Sequence, residues 1–192
     1  MTTNTNTPVT LAQLDQLAGT WTLDPSHTQI GFTARHAMVT KVRGAFNEFE
    51  GSVVVDPEDF SKSVATLTIQ ATSIDTRNEQ RDGHLRSNDF LAMDEYPEIT
   101  FVSTRIAHTG DTSLELTGDL TIRGTTNSVT VPFDFEGTAT DPFGNLRAGF
   151  EGSVVINRKD YGVTWNAALE TGGVLVSDKI TLEFEVSAIK NA

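Results

Sequence analysis

Residues 73–103, SIDTRNEQRDGHLRSNDFLAMDEYPEITFVS, interrupt the pattern of the chain around them. On either side, apolar and polar residues alternate at every second position; within this stretch they do not. Thr76 followed by Glu79 has the spacing of a capping box, in which the hydroxyl accepts from an early helical N–H and the carboxylate reaches back to the cap. The spacing predicts a helix from about Arg77 to Ser87, roughly three turns, weakened by Gly83 in its interior. Asp89-Phe90-Leu91 leaves the helix, and Tyr96-Pro97 opens a strand, since proline is tolerated at a strand's first residue. An otherwise β-rich chain thus carries one helix in its middle. In a barrel, such a helix has an open end to cover.

Outward from this stretch the alternation is regular. Thr28, Ile30, Phe32, Ala34 and His36 share one face, with Gln29, Thr33 and Arg35 on the other. Phe49, Gly51, Val53 and Val55 follow, up to a turn at Asp56-Pro57. Ala65, Leu67, Ile69 and Ala71 oppose Thr66, Thr68 and Gln70. Beyond the helix come Ile99 and Phe101, then Leu114, Leu116, Gly118, Leu120 and Ile122 against Glu115, Thr117, Asp119, Thr121 and Arg123. Val129, Val131, Phe133 and Phe135, then Ala148, Phe150, Gly152, Val154 and Ile156, then Ile180, Leu182, Phe184 and Val186 complete the series. Phe49-Glu50-Gly51-Ser52-Val53-Val54 recurs as Phe150-Glu151-Gly152-Ser153-Val154-Val155, so two strands occupy similar settings. The pattern predicts an all-β antiparallel sheet with one apolar and one wet face.

A sandwich and a closed barrel both bury such a face. Two features favour a barrel of about eight strands, a size whose interior is either filled or holds one ligand. Only the central helix is available as cover. The small residues Ala34, Gly51, Gly118 and Gly152 interrupt the apolar face where a cavity has room to open.

The formal net charge of -12 and pI near 4.6 oppose nucleic-acid binding, which starts from a basic surface. The same balance argues against electrostatic docking on anionic membranes. With no cysteine, disulfides and thiolate chemistry are excluded. No run approaches the ~18 apolar residues of a spanning helix, so no integral membrane segment is expected. Residues 1–18, MTTNTNTPVTLAQLDQLA, form a polar tail and a short helix with Leu11, Leu14 and Leu17 near one face and Thr10 with Gln13 as its cap; residues 19–192 form the barrel domain. The tail lacks a basic n-region and a continuous apolar h-region, so the sequence as written reads as cytoplasmic, and as exported if its N-terminus has been trimmed.

The four histidines, His27, His36, His84 and His108, show no metal-ligand spacing. His36 falls on the apolar parity, either as a satisfied barrel-end side chain or as a polar contact for a ligand head group. Arg81, Asp82, His84 and Arg86 are dense enough for acid–base work, but no GxSxG elbow or phosphate loop accompanies them. Adjacent on a helix, Arg81 and Asp82 diverge, and each is expected to pair with rim groups. No catalytic residue, metal or cofactor is assigned.

Several motifs together carry a resemblance. Asp24-Pro25-Ser26-His27 leads into Ile30-Gly31-Phe32 and His36; Ser73-Ile74-Asp75-Thr76 precedes Arg81-Asp82-Gly83-His84-Leu85-Arg86-Ser87, Asp89-Phe90 and Tyr96-Pro97-Glu98-Ile99-Thr100-Phe101. Gly118-Asp119-Leu120-Thr121-Ile122-Arg123-Gly124 is followed by Val129, and Arg158-Lys159-Asp160-Tyr161-Gly162-Val163 lies near the end. From about Gly19 to Lys190 the chain resembles the YceI-like family, and Gly19-Thr20-Trp21 is similar to the Gly-x-Trp of lipocalins.

That resemblance implies a lipocalin-like barrel around an apolar pore that binds, transports or stores a long isoprenoid lipid, either a polyisoprenoid or an isoprenoid quinone. The lipid is then a ligand and no other cofactor is implied. On this reading the pore is lined by Ile30, Phe32, His36, Phe49 and Val53 in the first half of the barrel, with Leu67 and Ile69. Leu85 and Phe90 seat the helix over the opening. Phe101, Leu116, Leu120, Phe133, Phe135, Phe150, Val154 and Phe184 line the second half, with Trp165 at the mouth. Head-group contacts fall to His36 and the Arg81–Arg86 helix. An enzyme acting on a lipid and a solid-core barrel serving as an interaction module remain open beside it. The expected partner is an apolar small-molecule lipid, with no nucleic acid. Exposed edge strands permit a homodimer.

Overall fold

The structure, a computed structural model, describes residues 17–192. The expected N-terminal helix therefore lies outside the described residues, save Leu17. In chain order the elements are β1 (Gly19–Leu23), β2 (Gln29–His36), β3 (Thr40–Phe46), β4 (Phe49–Val55), β5 (Val64–Gln70), β6 (Ile74–Asp75), α1 (Glu79–Arg86), β7 (Glu98–His108), β8 (Ser113–Ile122), β9 (Thr125–Thr140), β10 (Leu146–Asn157) and β11 (Val176–Lys190).

All these strands belong to one antiparallel sheet that closes on itself through β1 and β11. Several are halves of one stave. β1 and β2 lie end to end along β11, with Leu23 opposite Ala188 and Gln29 opposite Glu185. β3 and β4 lie end to end beside them, with Phe46 opposite Ile30 and Ser52 opposite Thr22. β5 and β6 continue in the same manner. The result is a closed barrel of eight staves in meander order, with two long connections, one from β10 to β11 and one from β6 to β7. The β6–β7 connection carries α1 across one end.

The expected parity holds. Leu116, Leu120 and Ile122 face the interior, whereas the Thr121 hydroxyl meets the Thr126 hydroxyl on the outside at 2.7 Å. β7 runs farther than its sequence pattern indicated, because a bulge between Ser103 and Arg105 shifts its alternation. On the other side of β7 the pairing with β5 ends at Thr66 opposite Val102, and the Ala65 N–H donates to Ser103 Oγ at 2.8 Å.

Of the small residues, Ala34 lines the cavity, but the three glycines do not open it as expected; they seat neighbouring side chains. A Cβ on Gly118 would stand 2.5 Å from the Phe101 ring and from the Val102 carbonyl oxygen. A Cβ on Gly152 would stand 2.6 Å from the Phe133 ring, and one on Gly51 2.9 Å from Leu23. Phenylalanine laid across a glycine on the next strand covers bare backbone and bends the sheet toward closure.

The end opposite α1 is closed by Trp21, 2% exposed, packed with Leu17, Val55, Phe135, Ala148 and Ala188. Its indole N–H donates to the Leu17 carbonyl at 2.8 Å. Nearby, Asp24 at the β1–β2 kink accepts from Arg147 at 2.7 Å and contacts His27 Nδ1 at 2.7 Å. Arg147 also donates to Asp141, which ties the kink to the β9–β10 turn.

Gly118→Ala should destabilise by about 1–3 kcal/mol, since backbone bounds the new methyl on one side. Gly83→Ala, with nothing within 4 Å of the new methyl, should stabilise by about 0.4–1 kcal/mol; thermal melts of both variants check the contrast. The Arg147 guanidinium, then His27 and Ser26, hold the Asp24 carboxyl well below the usual carboxylate range. Its contribution is therefore fully present above the unfolded value of about 3.9 and is lost as pH falls from there toward the folded value. Asp24→Asn should lower stability at neutral pH and flatten the acid limb of a melting-temperature profile below about pH 4.

Candidate functional site

The barrel encloses a cavity of about 310 Å3 whose wall runs from Leu17 and Phe60 at one end to Phe90 and Val163 at the other. β8 contributes Leu114 through Ile122 to that wall. At the rise per residue and tilt of barrel strands, this corresponds to an axial length of about 20 Å. The lining is apolar except for the polar groups of Ser63, Thr66, Thr100, Arg158 and Tyr161.

Most of the expected pore residues line this cavity: Ile30, Phe32, Val53, Leu67, Ile69, Leu85, Phe90, Phe101, Leu116, Leu120, Phe133, Phe150, Val154 and Phe184. The others lie off its wall. His36 is exposed at the end of β2, past the point where the strand faces the interior. Phe49 is half-buried at the β3–β4 junction. Phe135 sits below the cavity in the Trp21 cluster, its ring 5.2 Å from that of Phe150. Trp165 stands behind Phe90, their ring centres 5.3 Å apart.

α1 lies across one end as expected, but its cap differs. The cap is Asn78, whose side chain accepts from the Arg81 N–H at 2.9 Å, and Arg77 adopts a left-handed φ of 63°. Thr76 is buried and serves the helix in another way. Its N–H and hydroxyl both donate to the carboxylate of Asp82, itself only 4% exposed. Arg81 donates to the Thr76 hydroxyl and carbonyl oxygens, each at 2.7 Å. Arg81 and Asp82 thus converge on one residue instead of diverging to the rim. Arg86 donates to the carbonyls of Thr72 and Ile74. The charged face of α1 therefore grips the strand before it, while Leu85 and Phe90 face the cavity.

Across the same end, Arg158 is 5% exposed and donates to the carbonyls of Val163, Trp165 and Ser177 at 2.8–2.9 Å. Burial lowers its pKa, against the pull of Asp178. This guanidinium fixes the segment between β10 and β11, which brings Trp165 to α1. His84 meets Trp165 and Phe90 edge-on, at ring-centre distances of 4.7 and 4.9 Å, and binds Asp89 at 2.9 Å. Tyr161, in the turn that Arg158 opens, is 2% exposed. Its buried hydroxyl makes no hydrogen bond of good geometry; burial pushes its pKa up, against the neighbouring Asn127 side chain.

None of these groups forms an oriented nucleophile and base. Ser26, His27 and Asp24 are adjacent, but serine and aspartate both meet the same ring nitrogen, Nδ1, so histidine cannot relay between them. Among the described residues there is no cluster of three or more His, Asp or Glu placed to hold a metal, and no helix long and apolar enough to cross a membrane.

A closed eight-stave barrel with an apolar interior and a helix over one end is a lipocalin-like barrel. The YceI-like domain family matches residues 21–188, and the chain belongs to that family. UPF0312 proteins of Staphylococcus aureus are among its relatives; that of strain MSSA476 is 41% identical over 169 residues, covering 88% of this chain and 95% of its own. Among solved structures, Burkholderia cenocepacia BcnA superposes with a TM-score of 0.75 at 26% identity, over 86% of this chain and 98% of its own. A Campylobacter jejuni YceI protein gives 0.70 at 29%, over 88% and 97%. A polyisoprenoid-binding domain from Saccharophagus degradans shares the fold, with 0.69 at 14%, over 89% and 98%.

Thr76→Val should remove one donor to the Asp82 carboxylate and one acceptor of Arg81 while keeping the shape. The expected loss is about 1.5–3 kcal/mol, the range for hydrogen bonds to charged groups. Hydrogen exchange should show it as faster exchange in α1 with the β8–β10 amides unchanged.

Proposed function

We propose that the protein binds a long apolar isoprenoid lipid inside the barrel and carries or stores it without chemical turnover. The observation that supports this most directly is the cavity itself: about 310 Å3 with a wall almost wholly of aliphatic and aromatic side chains. Each buried CH2 is worth ~0.8 kcal/mol, so a tail in such a pore is held without charged contacts, even after the several kcal/mol lost to ordering. The shared fold of the polyisoprenoid-binding domain supports the ligand class.

Length selectivity follows from the geometry. An extended chain advances about 1.2 Å per bond, so an isoprene unit of four bonds covers about 5 Å, and a 20 Å pore takes about four extended units. Longer tails must fold back or protrude. At the α1 end, the buried Tyr161 hydroxyl, with the Asn127 side chain beside it, offers a donor to an oxygen on the ligand. His36 and the arginines of α1 are poorly placed for that task, the first being off the wall and the others engaged with backbone carbonyls.

Leu120 and Thr121 test the reading. Leu120→Arg should fold, with its guanidinium in the cavity, and lose uptake of a fluorescent apolar probe. Thr121→Arg should keep both uptake and melting temperature, since surface changes usually stay within about 0.5 kcal/mol. If the wild type takes up no probe and Leu120→Arg unfolds the chain, the interior is a solid core and the proposal is wrong. In a series of prenyl tails, affinity should rise up to about four units and then level.

A further inference from the structure

We propose that the β2–β3 hairpin and the adjoining outer face of β11 form a docking surface for an anionic lipid bilayer. The inference rests in part on the proposed function, because a lipid cargo is collected from a bilayer.

The hairpin tip is built against its local rules. Its turn, His36-Ala37-Met38-Val39, closes with the Val39 N–H donating to the His36 carbonyl at 3.1 Å. Ala37 and Met38 both have positive φ, 50° and 63°. A turn whose two central residues both have positive φ favours Asn-Gly, which adopts positive φ cheaply and faces water well. Here the central residues suit neither demand, and the tip is not buried to compensate. Met38 is 62% exposed and Val39 75% exposed. Met38 rests against Gly173 of the neighbouring loop, whose Val174 is exposed as well. The three side chains make an apolar cap at the α1 end, where Val176 enters the cavity wall.

Beside this cap the charge is the reverse of the whole. The chain carries a net -12. On the outer face of β2, β3 and β11, however, Arg35, Lys41, Arg43 and Lys179 line one shallow groove. All are exposed, and none has a carboxylate within 4 Å among the described residues. Arg35 stands directly opposite Lys41 across the two strands. Like charges so placed are destabilising unless an anion is supplied from outside. The two carboxylates of the groove are engaged: Asp178 with Lys159 at 3.2 Å, and Glu183 with the Thr33 hydroxyl. Charged residues on an exposed strand edge also deter pairing with other sheets, which accounts for Lys41 and Arg43 alone. Arg35 and Lys179 lie on strands paired on both sides, so edge protection does not explain them.

A basic collar around an exposed apolar tip suits a headgroup layer of anionic lipid: the cations meet phosphate while the tip enters the acyl boundary. The acidic remainder of the surface is repelled, so the protein is held with this face inward and its α1 end at the bilayer.

The test is sedimentation with vesicles of mixed phosphatidylglycerol and phosphatidylcholine, or of phosphatidylcholine alone, alongside probe uptake in the absence of vesicles. The wild type should sediment with the anionic vesicles only, and high salt should release it. Each cation neutralised, by Arg35→Gln, Lys41→Gln, Arg43→Gln or Lys179→Gln, should weaken binding about fivefold. Met38→Ser with Val39→Ser should weaken binding without changing its salt dependence. Probe uptake should be unchanged in all of them. Equal sedimentation with both vesicle types, or binding indifferent to these variants, overturns the docking face. So does a fall in oligomeric mass in the fourfold variant with vesicle binding intact, which assigns the face to a second copy. Probe uptake without vesicle binding removes this inference and leaves the lipid-binding reading. Vesicle binding without probe uptake does the reverse.

Discussion

Three residue pairs, Trp21–Lys190, Thr22–Ile189 and Leu23–Ala188, close the sheet. Every other feature depends on that short seam. Without it, β1 would be an open edge, with unpaired backbone groups along it. The interior would be a groove filled with water. The seam is short because β11 divides its length between two partners, pairing with β2 along most of its course and with β1 only at its end. The strand must therefore kink between Leu23 and Gln29. The Asp24–Arg147–Asp141 chain and the buried indole of Trp21 both stand at this kink. The charges hold the corner from outside and the ring fills it from within.

The alternation of the sequence carried the inward face of the strands well, because a half-buried strand writes its register into every second residue. It carried the barrel less directly. Closure is set by pairing between residues far apart in the chain, and no local pattern specifies that Trp21 lies beside Lys190. The glycines show the same limit. Gly118 and Gly152 stand on the apolar parity, which marks where they face, but whether they open space or receive a ring depends on the neighbouring strand. At the α1 end, Thr76 and Glu79 had the right spacing for a cap, yet Asn78 is a better one and starts the helix two residues later. Thr76 is instead taken by Asp82, six residues on. Arg158 and Tyr161 were visible only as part of a motif. Their roles depend on carbonyls of the segment that follows, and irregular backbone has no period to read.

Net charge has a similar limit. A total of -12 describes how the molecule behaves at distances beyond the Debye length, about 8–10 Å at physiological salt. It says little about a groove only a few residues wide. Alternation places Arg35 on the outer face, but only the pairing of β2 with β3 and β11 brings it beside Lys41 and Lys179. A surface field is thus a property of register as much as of composition.

The hollow interior is itself an energetic statement. At about 24 cal/mol per Å3 of cavity, a void of 310 Å3 costs about 7 kcal/mol relative to a filled core. That is comparable to the whole stability of an ordinary domain, about 5–15 kcal/mol. A chain free to vary its side chains removes such a void with a few larger ones, and this chain already uses phenylalanine along the wall without filling it. The barrel can bear the cost because its backbone is satisfied by closure and not by core density. Much of that cost becomes available to whatever fills the space. An apolar occupant restores the missing contacts along the wall, so binding and stability draw on the same surface. Occupancy then raises the melting temperature by mass action. An occupied barrel is the more stable state, and on the function proposed above the tail of a lipid would stand in for the core that the sequence omits.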